Sequence, residues 1–424
     1  MSMHRVVIAT YGTLGDLHPY LAIARELQAR GHRAVIVTAG LHRASVEAAG
    51  VPFRPLRPDV AFDDVALHRR LTEPRRGFER AIREVMLPSL RATYDDLLAA
   101  VREEDADLLL SQILVFAAPL VAGTTGVPWV STELQPGAFV SAYDPPVLAP
   151  LPALAKLRPL GPRFHRAIFH GARLLARSWS GPVYELRKDL GLPPSRDPLF
   201  DGRHSPRLVL ALFSEVLAAP QPDWPPNTVV TGFPFYDPPE ATLDPALAAF
   251  LEGGEPPVVF TLGSSAVRDA GTFYEESVAA ARLLGRRAVL LVGADPVNHP
   301  RADLPAELLA VPYAPYGLLF PRAAAIVHHG GVGTTGQALR AGRPMLVMPF
   351  GADQYDNAAR AVRLGVARTI ARRRYTARRV AAELAALLNE PRYRERAEAV
   401  EARVRRENGV HIAVDLLEAQ LRPR

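Results

Sequence analysis

Twice in 424 residues the chain runs from a short apolar segment through a glycine-containing turn into an amphipathic helix and then into a second apolar segment. The first copy opens with Val6-Val7-Ile8-Ala9-Thr10, turns from Tyr11 to His18, and predicts a helix from about Pro19 to Arg30, before Arg33 to Thr38. Pro19 suits a first helical turn, where no N–H is needed, and Gly31 suits the stop. The second copy opens with Val258 to Leu262, turns at Gly263-Ser264-Ser265, predicts a helix over roughly Thr272 to Leu284, and returns as Ala288 to Val292. Apolar strands that do not alternate are covered on both faces, and strands joined through helices pair in parallel. The fold expected is α/β, with two doubly wound Rossmann-like domains and ligands in a crevice at the C-terminal edges of their sheets.

Length gives room for two such domains. Between them Pro234, Pro238, Pro239, Pro245, Pro256 and Pro257 crowd together with Gly232, Gly253 and Gly254. The expected division is 1–232, a linker 233–257, and 258–404, with a C-terminal helix over about 405–424. A second proline-rich stretch, Asp144 to Pro162, reads as a loop over the crevice. There is no cysteine, hence no disulfide and no thiolate metal site. No run reaches the ~18 apolar residues of a membrane helix, and the first ten residues enter a strand directly, so a cytoplasmic protein is expected. The net charge of +6 comes from arginine, Lys156 and Lys188 being the only lysines. The densest basic run, Arg372-Arg373-Arg374 with Arg378-Arg379, has Tyr375 as its one aromatic, so a solvated face is expected and not a nucleic-acid site.

The stretch Val327 to Gln354, VHHGGVGTTGQALRAGRPMLVMPFGADQ, reads as strand, glycine turn, helix, strand, loop. A helix opening at Gly333-Thr334-Thr335 turns free N–H groups and a positive dipole end toward the turn, where an anion fits. Tyr313, His329, Gly331, Thr334, Asp353 and Gln354 follow in the order and spacing of a known signature. In these residues the chain resembles the nucleotide-sugar-dependent glycosyltransferases of family 1, which have the GT-B fold and include enzymes that glycosylate natural products, flavonoids and sterols. The resemblance covers Tyr313 to Asn357, Val6 to Pro19 and Val258 to Ser265, and is thin from Val60 to Val230.

What the resemblance implies is an inverting hexosyltransferase that needs no metal or other cofactor, with a dTDP- or UDP-sugar as co-substrate. His329, the backbone of Gly331, Val332 and Gly333, and the Thr334 hydroxyl would hold the diphosphate, assisted by Ser264 and Ser265. Asp353 and Gln354 would hold sugar hydroxyls, and Tyr313 would stack on the nucleobase. Gln337 stands where plant members have a glutamate on the ribose, and Tyr316 where they have a glutamine. The loss of a charged acceptor favours a dTDP-sugar, dTDP-rhamnose included. In the turn Gly12-Thr13-Leu14-Gly15-Asp16-Leu17-His18-Pro19, Asp16 takes the position of the catalytic base, and Thr13 faces the same loop. A carboxylate at its ordinary pKa near ~3.9 is a weak base, so burial would have to raise it. His18 is the alternative base, its ordinary pKa of ~6.5 being better placed. Ala117 falls where plant members carry a helper aspartate, so no such dyad is expected.

The acceptor is expected to be an apolar small molecule, and Phe62, Phe78, Met86, Leu114, Phe116, Phe139, Tyr143 and Arg158 to Trp179 are candidates to line its pocket. Transfer to a lipid or cell-wall intermediate, marked by an apolar and basic surface near Arg163 to Arg177, is one alternative. An inactive nucleotide-sugar-binding homologue is another. Monomer and homodimer both remain open. Gly12 and Gly15 do not complete a dinucleotide fingerprint, and Val37-Thr38-Ala39 lacks its acid. Asp105 and Asp107, the one spacing suggestive of metal, read as a solvated turn.

Overall fold

The computed structural model describes residues 3–59, 65–149, 151–238, 240–300 and 303–421. Phe62, Pro239 and the last three residues of the expected C-terminal helix lie outside these. Among the described residues thirteen strands form two all-parallel sheets. The first contains β1 (Arg5–Ala9), β2 (Arg33–Thr38), β3 (Phe53–Pro55), β4 (Leu108–Gln112), β5 (Trp129–Glu133), β6 (Val209–Ala211) and β7 (Thr228–Val230), in the order 3-2-1-4-5-6-7. The second contains β8 (Val258–Thr261), β9 (Ala288–Leu291), β10 (Leu308–Val311), β11 (Ala325–His328), β12 (Met345–Val347) and β13 (Ala367–Thr369), in the order 10-9-8-11-12-13. Val7, Ile8, Ala9, Val259 and Phe260 have no exposed surface, as expected of strands covered on both faces.

Each sheet reverses direction of winding once, between β1 and β4 in the first and between β8 and β11 in the second. Ala9 pairs with Ser111 and Thr261 with His328 at these two places. Neighbouring connections leave to opposite sides there, which opens a crevice beyond the strand ends. Gln112 is the last residue of β4, and Asp16, Ser264 and His329 follow the ends of β1, β8 and β11.

Several local expectations are corrected. The first helix spans Leu14–Ala29, so Asp16 and His18 lie inside it and Pro19 sits in its second turn. Thr13 is the N-cap, and Asp16 reaches back to its N–H at 2.8 Å, forming a capping box that starts the helix early. Pro19 therefore costs one helical hydrogen bond, at the Gly15 carbonyl. The stretch expected to be loop, Asp144 to Pro162, holds a 3₁₀ segment, Pro152–Leu160, and its last two residues open the helix Gly161–Ala176. Residues 233–257 are not bare linker either. They include a helix, Pro245–Glu252, whose N-terminus is capped by the Asp244 carboxylate, and Phe233, Leu247 and Leu251 are buried.

The C-terminal segment forms two helices, Pro391–Val404 and Gly409–Glu418. The first packs on the Val332–Arg340 helix, and the second on Leu14–Ala29. Ala413, Val414 and Leu417 are fully buried in the core around Leu21 and Leu27, and Arg30 and His32 pair with Glu418 at 3.0 Å. Burying such a leucine contributes about 1.5–3 kcal/mol, so the return crossing is an apolar contact with an ionic rim.

Candidate active site

Asp16 is built into place by its helix and by β4. Its Oδ2 accepts from the Thr13 N–H at 2.8 Å and the Thr13 hydroxyl at 3.3 Å, and its Oδ1 accepts from Gln112 Nε2 at 2.9 Å. A Cβ at Gly12 would fall 2.2 Å from Asp16 Oδ2, and φ there is +124°, so only glycine lets the carboxylate fold back. Burial pushes the Asp16 pKa above the ordinary carboxylate range, against the Thr13 and Gln112 hydrogen bonds and His42, which lower it. His18 is depressed to about 4 by burial, with His42 also repelling its charge. The His18 ring packs against Tyr236, 5.2 Å between centroids, and is neutral near pH 7. Ala117 is fully buried, and the polar group that meets Asp16 from the neighbouring strand is Gln112, five positions earlier. Gln112 escaped the sequence reading because 96 residues separate it from Asp16 and only the parallel β1–β4 pairing joins them.

Across the crevice the Val332–Arg340 helix starts at Gly331. A Cβ at Gly333 would lie 3.8 Å from Gly15 Cα, so the N-termini of two helices, one from each sheet, face each other. The His329 ring lies between two glycines: added Cβ atoms at Gly263 and Gly331 would come within 2.6 and 2.5 Å of it. Burial lowers its pKa to about 4, so it is a neutral imidazole, and its Nδ1 has no hydrogen-bonding partner. A buried polar atom left open in this way asks for a ligand or water. Thr334 is buried and its hydroxyl contacts that of Tyr316, which in turn lies 2.9 Å from the Thr261 hydroxyl. Tyr316 is stacked on Phe320 and packs beside the start of the Val332–Arg340 helix. Ser264 and Ser265 are half-buried in a one-turn helix, Gly263–Ala266, at the end of β8.

Asp353 stands at the N-cap position of the Gln354–Arg363 helix, and its carboxylate accepts from Asn357 Nδ2 at 2.6 Å. Burial raises its pKa to about 7, with Asp16 across the crevice adding to the shift. That coupling places the two carboxylates in one field. Gln354 is buried beside Asp353. Its Oε1 accepts from the N–H groups of Phe350 at 2.8 Å and Gly351 at 3.2 Å, so the preceding turn engages the carbonyl end of the side chain and not its amide nitrogen. Tyr313 is exposed at the rim, its ring available for stacking. Gln337 borders a cavity of about 260 Å³ with Gly317, Pro321, Arg340, Ala341 and Arg405, and its Oε1 is buried without a partner.

Among the acceptor candidates, Phe116 and Phe139 are core residues, the latter stacked on Trp224. Phe78 and Tyr143 are exposed, and Phe62 lies outside the described residues. Asp105 and Asp107 both serve Arg5, at 2.8 and 2.7 Å, at the far edge of the sheet from Gln112. Among the described residues no group of three His, Cys, Asp or Glu side chains is placed to hold a metal ion, and no helix is long and apolar enough to cross a membrane.

Two doubly wound sheets thus face each other across a crevice, with the start of the Val332–Arg340 helix on one side and the raised Asp16 carboxylate on the other. Residues 289–413 match the family model for the C-terminal domain of erythromycin biosynthesis protein CIII-like proteins, and residues 6–121 that for the glycosyltransferase family 28 N-terminal domain. The chain is 36% identical over 426 residues to O-mycaminosyltylonolide 6-deoxyallosyltransferase of Streptomyces fradiae, covering 98% of this chain and 97% of that protein. Among solved structures, a kitacinnamycin glycotransferase superposes with a TM-score of 0.75 at 24% identity, each chain covered in full. A spinosyn rhamnosyltransferase complexed with thymidine diphosphate gives 0.67 at 19% identity, covering 98% of this chain and 100% of that one. The chain belongs to the family 1 natural-product glycosyltransferases of the GT-B fold, and it is an enzyme of sugar transfer.

Proposed function

We propose that the protein transfers a hexose or deoxyhexose, with inversion, from a dTDP-sugar to a hydroxyl of an apolar natural product, with UDP-sugars as poorer donors. The carrying observation is the meeting of the two helix starts at Gly15 and Gly333, which sets Asp16 and Asp353 on opposite sides of one crevice. In this reading the domains are 1–232, with the C-terminal helix, for the acceptor and 258–404 for the donor. Asp16 takes the proton of the acceptor hydroxyl as its oxygen bonds to the anomeric carbon. The bond from that carbon to the diphosphate oxygen breaks, and its electron pair leaves with the diphosphate. Neutral His329, the Gly331 to Thr334 backbone and the Ser264-Ser265 turn stabilise that negative charge by hydrogen bonding without a cation. Asp353 accepts from sugar hydroxyls and Gln354 donates through its amide N–H groups. Gln337, with an open carbonyl oxygen, offers the ribose one neutral acceptor, which suits a 2′-deoxyribose. The spinosyn enzyme, with its thymidine diphosphate, is consistent with this donor class. Calorimetry with dTDP and UDP, followed by turnover of the corresponding sugars and assignment of the product's anomeric configuration, tests the reading. UDP binding more than tenfold tighter than dTDP would reverse the donor assignment, and no turnover with any donor would mark an inactive homologue.

One observation favours a second reading, transfer to a lipid intermediate. From Pro145 to Tyr184 the chain has no acidic residue, and Leu151, Leu160, Leu174 and Leu175 are exposed there beside Arg163, Arg166 and Arg177. Sedimentation with anionic vesicles distinguishes it, since an enzyme for dissolved acceptors stays in the supernatant.

A further inference from the structure

Gln112 is 5% exposed, and both ends of its side chain are used. Its Oε1 accepts from the Tyr11 N–H at 3.0 Å and lies 3.5 Å from the Thr10 hydroxyl, while its Nε2 donates to Asp16 Oδ1 at 2.9 Å. The Tyr11 N–H fixes which way round the amide sits, because a flipped amide would set its own N–H groups against a backbone donor. The end of β4 therefore always presents a donor, never an acceptor, to Asp16.

We infer that Gln112 is a positioning residue that holds the Asp16 carboxylate in one rotation and leaves a lone pair of Oδ1 as the proton acceptor. The Thr13 N–H and hydroxyl occupy Oδ2, whereas Oδ1 takes only the one bond from Gln112. A carboxylate oxygen has two acceptor directions, so Oδ1 keeps one free. The same bond favours the charged carboxylate and opposes the rise that burial imposes. Gln112 thus sets both where the proton goes and the pH above which Asp16 can take it. The inference rests on Asp16 as the base.

The test compares pH profiles of kcat/KM for the wild type, Gln112→Leu and Gln112→Glu, with dTDP affinity measured alongside. Gln112→Leu removes the donor, and Gln112→Glu keeps the acceptor for Tyr11 but turns a carboxylate toward Asp16. Both should move the acid limb to higher pH by about one unit or more, with turnover at pH 7 falling roughly tenfold, Gln112→Glu the more strongly. Affinity for dTDP should change less than twofold. If Gln112→Leu does not fold, the nearly isosteric Gln112→Glu decides alone. An acid limb that stays in place overturns the inference, even where turnover falls. A limb in place with Asp16→Asn inactive leaves the base assignment standing, whereas active Asp16→Asn removes the base assignment itself.

Discussion

At the scale of single residues the site depends on which groups are charged. Asp16→Asn keeps the shape of the side chain but cannot take a proton, so turnover should fall by ~10²-fold or more while dTDP affinity holds, as steady-state kinetics and calorimetry would show. Near-normal turnover in that variant together with an inactive His18→Ala would move the base to His18. His329 is neutral when free, so His329→Ala should weaken diphosphate binding by only about 0.5–1.5 kcal/mol, the scale of a neutral hydrogen bond. A much larger loss would mean that the ring becomes charged once the diphosphate arrives. Gln337→Glu should shift preference toward UDP by up to ~1–2 kcal/mol, because a carboxylate can accept from both ribose hydroxyls. Side-by-side titration of dTDP and UDP reads that shift directly. Residues of the glycine turns were legible in the sequence because each needs a special backbone or a close approach. Gln112 was not, since an amide at a strand end carries no local signature.

At the scale of elements, the Gln354–Arg363 helix ties the two halves together. Arg360, 1% exposed, pairs with Asp356 at 2.6 Å and with Asp144 from the other half, and donates to the Leu217 carbonyl at 3.1 Å. Asp356 also accepts from the Val147 N–H at 2.9 Å. Removing the cation leaves Asp356 buried without its counter-charge, while Asp144 keeps Arg158 and Arg363. Arg360→Met should therefore cost about 3–5 kcal/mol by denaturant titration, whereas replacing all three charges should cost much less. The element pattern read well where strands are apolar throughout, as in β2, found over Arg33–Thr38 as expected. It failed where two signals competed. Pro19 marked a helix start, but Thr13 and Asp16 three residues later form the stronger cap, and the helix simply carries the proline. The proline-rich stretch Asp144 to Pro162 looked irregular, yet Pro152–Leu160 is a 3₁₀ segment and Pro162 sits in the first turn of the helix that follows, where a proline costs no hydrogen bond.

At the scale of the whole molecule, buried acids give the free enzyme a pH-dependent stability. Asp353 titrates at about 7, and Glu133, 1% exposed with Arg203 at 3.8 Å and His204 at 3.6 Å, at about 8. Both are raised by burial, so their contribution is full below the ordinary carboxylate pKa near ~4 and is lost as pH rises through 7 to 8. The melting temperature should drop from about pH 4 to about pH 8 and level off above that, and Glu133→Gln should flatten the slope, as a thermal scan at several pH values would show. An unchanged slope would assign the loss to Asp353 or Asp16. The two-sheet plan was legible from the duplicated strand-turn-helix order, whereas the salt links across the crevice were not, because their partners lie far apart in the chain. The chain also crosses between the halves a second time. At Gly409 a Cβ would meet the carbonyl oxygens of Phe233 and Gly232 at 2.6 and 2.7 Å, so the outgoing and returning segments touch. Two crossings side by side, like the paired knuckles of a door hinge, restrain the twisting of one half against the other more than a single length of chain could.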